Sequence, residues 1–215
     1  MKQKPKQESV AARVGREIER DAHYRKAIEL GIANLSAIAA AIAAKLRCNP
    51  EAAKVAVARY AKSRVEAAGE RASLVSRVLA KSSVSLQDDV AVLVVENSGL
   101  AAARTPALEG DEIISVVSSK HGITIACRGS AVAALEKRFK GSVLLFSKNL
   151  CLVQLSSPQN IENVPGVFVT VLDAIYRRGL NVLEASSCYT DTNIIVERKD
   201  AVKCFEAVEE ACGKN

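Results

Sequence analysis

Between Lys81 and Val90 the apolar residues of this chain change their spacing, and that change constrains the fold more than any motif does. Before it they recur three and four positions apart, as in Leu35, Ile38 and Ile42, the spacing of one face of a helix. After it come short β-rich runs such as "VAVLVVEN" at 90–97, divided by polar and glycine-containing breaks. A helical front followed by alternating strands and helices predicts an α+β chain of at least two modules. The core they share must be aliphatic: apolar residues make up 49% of the sequence, aromatics only 4%, and Trp is absent.

The front half carries explicit punctuation. After a basic tail over residues 1–8, "VAARVGREIERDAHYRKAIELG" reads as one helix stopped by Gly31. Asn34 or Ser36 is then placed to cap "NLSAIAAAIAAKL", with Leu35, Ile38 and Ile42 inward. Asn49 precedes Pro50, a proline suited to the first turn of the next helix. From Pro50 to about Lys81 no further proline occurs, and Ala58, Ala61, Val65, Ala68, Ala72, Val75 and Leu79 form a seam that suits a dimer stalk or a long helix folded against its own chain. Residues 1–85 hold 17 Lys and Arg against 8 Asp and Glu, whereas residues 86–215 hold 13 against 16. The short helix, turn and second helix resemble the helix-turn-helix of transcription regulators. That resemblance implies that Lys54, Arg59, Lys62 and Arg64 meet phosphates or base edges of double-stranded DNA. A generic helical packing domain shows the same punctuation.

In the back half "SSVSLQDD" reads as a polar linker and "SGLAAARTPALEGDE" as a loop. The runs "IISVVSS" and "GITIAC" read as strands, followed by the helix "SAVAALEKRF" started by Ser130. "GSVLLFS" and "LCLVQLS" are two more strands around a "KN" turn. After the loop "SPQNIENVPG" a helix puts Phe168, Val171, Leu172 and Ile175 on one face, with Arg177, Arg178 and Gly179 suiting its end. "NVLEASSCY" and "NIIVER" are strands joined by "TDT", and Asp200 is placed to cap a last helix with Ala201, Cys204, Phe205, Val208 and Cys212 inward. Strand, helix, strand, strand, helix is most of a ferredoxin-like βαββαβ unit, and residues 86–149 read as an imperfect copy without its first helix.

These residues resemble an ACT domain of the aspartokinase regulatory type. The resemblance rests on Pro165, Gly166 and Val167, on Asn181 and Val182, on Ser186 and Ser187, on Ile194 to Glu197, and on Asp200 to Val202. It is close over about 150–212 and degenerate over 86–149, so it implies a degenerate module at 86–149 and an ACT domain at 150–215, behind the helical domain read at 9–85. It also implies an amino-acid effector held by Asn163, Val164, Pro165, Gly166, Val167, Phe168, Asn181, Val182 and Leu183. Physically, unpaired amides at a helix start suit a carboxylate, and a glycine there allows close approach.

Nothing in the sequence assembles catalytic equipment: both phosphate-binding glycine signatures are missing, and His23 and His121 fall in different modules. The two acids in "GDEI" bring no metal-ligand partners, and the six cysteines lack paired spacing. The expectation is a non-enzyme with no metal and no cofactor. It is a cytoplasmic homodimer without a membrane span, in which effector binding controls transcription or, in the alternative, a partner enzyme without DNA contact.

Overall fold

The structure is a computed structural model and describes residues 8–97 and 112–214. The chain divides into two compact units, Met1–Leu74 and Val75–Asn215. The "SGLAAARTPALEGD" part of the sequence-predicted loop and most of the basic tail lie outside the described residues.

The first unit is helical: α1 (Val10–Arg20), α2 (Ala22–Glu29), α3 (Leu35–Leu46) and the start of α4 (Pro50–Ala80). The single helix expected over 10–31 is therefore two. Asp21 leaves helical geometry (φ −103°, ψ 107°), and its carboxylate accepts the amides of His23 and Tyr24, so one residue ends α1 and caps α2. The remaining punctuation is as read. Gly31 stops α2 at φ +70°, the Asn34 side chain accepts the Ala37 amide, and Asn49 accepts those of Glu51 and Ala52 ahead of Pro50. Val14, Ile18, Ile28, Ile38, Ile42 and Val57 close an aliphatic core, with Leu35 partly buried at its edge. Glu17 is 8% exposed there. Its carboxyl is held below the usual carboxylate range chiefly by a hydrogen bond from Lys45, and Arg20 adds a second at 3.0 Å.

The second unit is built on one antiparallel six-stranded sheet, in the order β2-β3-β1-β4-β6-β5. Its strands are β1 (Ser83–Val95), β2 (Ile113–Ser118), β3 (Ile123–Arg128), β4 (Val143–Ser156), β5 (Glu184–Cys188) and β6 (Asp191–Glu197). The helices are α5 (Val132–Arg138), α6 (Val167–Arg177) and α7 (Ala201–Ala211).

Two sequence expectations fail in β1 and β4 for a common reason. The "polar linker" is the first half of β1, where Ser83 to Gln87 pair with Ser156 to Leu152 and Val84 turns into the core. The "KN" turn lies inside β4, which is one strand. Asp89 and Asn149 both take left-handed backbone (φ 58°), and the register shifts beside each, so both are β-bulges that bend their strands without ending them.

Smaller corrections follow from local geometry. Ser130 sits inside a 3-10 turn over Gly129–Ala131 and makes no cap hydrogen bond, and Asp200 likewise caps α7 without its side chain. The β5–β6 turn falls at Tyr189, with φ 53°, and Thr190. Because α6 starts at Val167, its buried face is Val167, Val171 and Ile175, while Phe168 is 39% exposed and Leu172 partly buried.

The main apolar cluster joins Val153, Leu155, Ile194 and Val196 of the sheet to α6, to α7 (Ala201, Cys204, Val208) and to Val75, Val78 and Leu79 from the last turns of α4. A second cluster packs Leu93, Ile123 and Ile125 against Leu135 and Phe139 beside α5. The opposite face of the central strands holds Val90, Val92, Ala126, Leu150, Leu152 and Ile195.

Of the proposed seam on α4, Ala61, Val75 and Leu79 are buried, Ala68 is half-buried, and Ala58, Val65 and Ala72 are exposed. All six cysteines are free thiols. Among the described residues no helix is long and apolar enough to cross a membrane, and no cluster of His, Cys, Asp and Glu could hold a metal.

Candidate effector cleft

Between the end of β4 and the start of α6 the chain makes a 3-10 turn over Gln159–Asn163, an extended step at Val164, and a left-handed step at Gly166 (φ 105°, ψ −10°). The left-handed step is why glycine is required. A Cβ on Gly166 would meet only Val75 Cγ2, at 3.5 Å, which is ordinary contact. Glycine is thus required by the backbone itself, a reason that stands beside the sequence argument about room for a ligand. The Gly166 carbonyl accepts both the amide and the hydroxyl of Thr170, each at 2.9 Å, which fixes the first turn of α6. The amides of Val167, Phe168 and Val169 precede that turn and have no partner within the helix.

These residues form one wall of a cleft of about 220 Å³, lined by Ile161, Glu162, Val164, Gly166, Val167, Phe168, Ser187, Tyr189 and Thr192. Four of the nine sequence-predicted effector residues meet here: Val164, Gly166, Val167 and Phe168. Leu183 lies elsewhere, in a depression with Ser147, Asn149 and Arg198. Asn163, Pro165, Asn181 and Val182 line neither depression. Val182 is partly buried against the main cluster, and Asn163, Pro165 and Asn181 are exposed.

Sequence reading misses Ile161, Glu162, Tyr189 and Thr192, and it takes Ser187 as a strand residue carrying the family resemblance, not as an effector residue. Strand register supplies the missing signal. Ser187 pairs with Thr192 across the β5–β6 hairpin, and Thr192 pairs with Leu155, a core residue of the helix-covered face. Residues directly opposite across strands share a face, so Ser187 and Thr192 turn toward α6. Thr192 is 2% exposed, and its hydroxyl makes no hydrogen bond among the described residues.

The basic residues of the helical unit divide differently. Lys54, Arg59 and Lys62 are exposed and make no ion pair among the described residues. Arg64 is occupied: it pairs with Glu19, donates to the Tyr60 hydroxyl at 3.1 Å, and lies over the Tyr60 ring at 5.3 Å. Both histidines are exposed, and burial pushes the thiols of Cys127, Cys151 and Cys204 up to about 11, which leaves them protonated and poor nucleophiles.

No protein-family model matches the sequence, and no curated protein matches it either. Solved structures do match the fold. The chain is similar to the ligand-free regulatory subunit of aspartate kinase from Thermus thermophilus, at 16% identity and a TM-score of 0.52, over 60% of this chain and 95% of that one. It is similar to a structure of aspartokinase alpha and beta subunits at 12% identity and a TM-score of 0.50, over 60% of this chain and 97% of that one. Aspartokinase III of E. coli, solved in complex with aspartate and ADP, matches at 13% identity and a TM-score of 0.50, over 60% of this chain and 33% of that one. At these identities the likeness is one of fold.

Proposed function

We propose that this chain is a non-catalytic regulatory protein in which the cleft at the start of α6 binds an amino-acid effector and the bound state controls a partner enzyme. The observation that carries the reading is the cleft itself, at the helix start of a sheet whose fold is that of an aspartate kinase regulatory subunit. Two ferredoxin-like ACT modules, sharing the bent strands β1 and β4, account for the six-stranded order. Unpaired amides at the α6 terminus suit the effector carboxylate. Val75, Val78 and Leu79 of α4 pack in the same cluster as α6, so an effector that shifts α6 acts on the end of α4. Such an effector works only through its different affinities for the shifted and unshifted positions of α6. The protein acts in this reading as a cytoplasmic homodimer, which light scattering tests directly. A thermal-shift screen of the intact chain with the twenty amino acids tests the effector role. A ligand at ~100 times its dissociation constant stabilises by about 2.7 kcal/mol, and no shift from any of them refutes the reading.

A second reading, DNA control by the helical unit, is favoured by one observation: α3 and α4 are joined by a short capped turn, with Lys54, Arg59 and Lys62 exposed on α4. Duplex affinity measured against salt decides it. Binding that falls steeply as salt rises supports it, and absence of binding at low salt removes it.

A further inference from the structure

The lining of the cleft reads like a statement about its ligand. Ile161, Val164, Val167 and Phe168 supply apolar surface, Glu162 the one carboxylate, and no Lys or Arg contributes. An anionic side chain would find no counter-charge there, and a cationic one would compete with an α-ammonium group for Glu162. The volume, about 220 Å³, is below that of sites for drug-sized ligands and suits a small metabolite. Thr192 lines the cleft, nearly all of it buried, with a hydroxyl that has no protein partner among the described residues. The hydroxyl is not among the fully buried unpaired atoms, so it opens to solvent and is free to exchange water for a polar group of a ligand.

Resting on the effector reading above, we infer that the cleft selects an amino acid with an uncharged aliphatic side chain, and that Thr192 is a binding residue for its polar end. The Thr192 hydroxyl donates to the ligand carboxylate alongside the first-turn amides of α6. The Glu162 carboxylate accepts from the ammonium group, and the apolar wall takes the side chain. Ser187, opposite Thr192 in the hairpin, and Tyr189 at its turn close the polar side.

The test is calorimetric titration of the full chain with valine, leucine, isoleucine, lysine, arginine, aspartate and glutamate, repeated on Thr192→Val and Thr192→Ser. At least one aliphatic ligand should bind tenfold or more tighter than every charged one. Thr192→Val keeps the shape, removes only an unpartnered hydroxyl and should melt no lower than the parent, yet it should weaken the best ligand at least tenfold. Thr192→Ser should restore binding to within about threefold. Charged amino acids binding as tightly as aliphatic ones would overturn the inference and leave the effector reading standing. Unchanged affinity in Thr192→Val would overturn the role of Thr192. Heat from no amino acid at all would remove the effector reading, and this inference with it.

Discussion

Gly166→Ala separates two reasons for a glycine at the mouth of α6. If the residue is there to let a ligand approach the backbone, alanine blocks binding and leaves stability alone. If it is there for its conformation, alanine strains the chain and leaves binding alone. The geometry supports the second. At φ 105° a non-glycine residue costs about 1–3 kcal/mol, and the lower entropy of the unfolded alanine chain returns up to about 1 kcal/mol. The added methyl group meets Val75 Cγ2 at 3.5 Å and pushes nothing aside. The net loss therefore lies between about 0 and 3 kcal/mol and centres on about 1–2 kcal/mol, where the fall in melting temperature is roughly 3–8 °C for a unit of this size. Gly179→Ala is the internal control: it has positive φ (68°) with nothing within 4 Å of the added carbon, so it should lose up to about 1 kcal/mol. Thermal melts of both variants, then titration with the amino acid that shifts the parent most, give the two readouts. Affinity in Gly166→Ala should stay within about twofold of the parent. Abolished binding at unchanged stability would refute the argument, and so would a loss well beyond 3 kcal/mol, which needs a clash the geometry does not contain.

Thiol chemistry gives a second measurement: at neutral pH a maleimide or disulfide reagent should modify exposed Cys188 first and half-buried Cys48 next, with Cys127, Cys151 and Cys204 resisting until the chain unfolds. The same three thiols predict alkaline weakening. Unfolded thiols ionise near the ordinary 9.0 while the native ones hold their protons to about 11, so stability is full below pH 9 and falls as pH climbs from 9 to 11. Urea titrations at pH 8 and 10.5 would show it, and a flat profile would contradict the burial of these groups. Asp21→Ala removes the acceptor for two amides at the start of α2 and should cost the helical unit about 1 kcal/mol by urea denaturation, leaving amino-acid affinity unchanged.

What was legible in the sequence was mostly local. Asn34, Asn49, Pro50 and Gly31 act within their own turns, so their chemistry names their structure without reference to the rest of the chain. Asp21 escaped notice because good helix formers stand on both sides of it and the apolar period continues across the break. Asn149 was misread for another reason. A turn and a β-bulge ask for the same left-handed backbone, and asparagine serves both, so only the pairing of Ser147 with Val92 and of Leu150 with Val90 tells them apart. Ser83 to Gln87 alternate as a strand should, but with serine at the outward positions they resemble a linker until Val84 is seen against the core. Thr192 is the extreme case. Nothing in "TDTNIIVER" marks its hydroxyl as unpartnered, because that property belongs to the strands and helix packed around it.

The pairing of the bent strands also bears on where the cleft can be cut from the chain. Sequence reading starts the effector module at about residue 150, just after the bulge at Asn149. The second half of β4, from Leu150 to Ser156, pairs with β6 on one side and with Ser83 to Gln87 of β1 on the other. A fragment beginning at residue 150 would lose the β1 neighbour and the α4 turns carrying Val75, Val78 and Leu79, which belong to the same cluster as Val167. It would expose a long apolar strand edge at Leu152, Val153 and Leu155, an arrangement that invites aggregation. A fragment from residue 75 to 215 retains both partners. The expected outcome is that the longer fragment stays monodisperse and melts cooperatively while the shorter one precipitates or melts without a transition. A well-folded short fragment with intact ligand affinity would mean that β1 contributes nothing essential to the sheet beneath the cleft, and the shared-strand account of this unit would have to be abandoned.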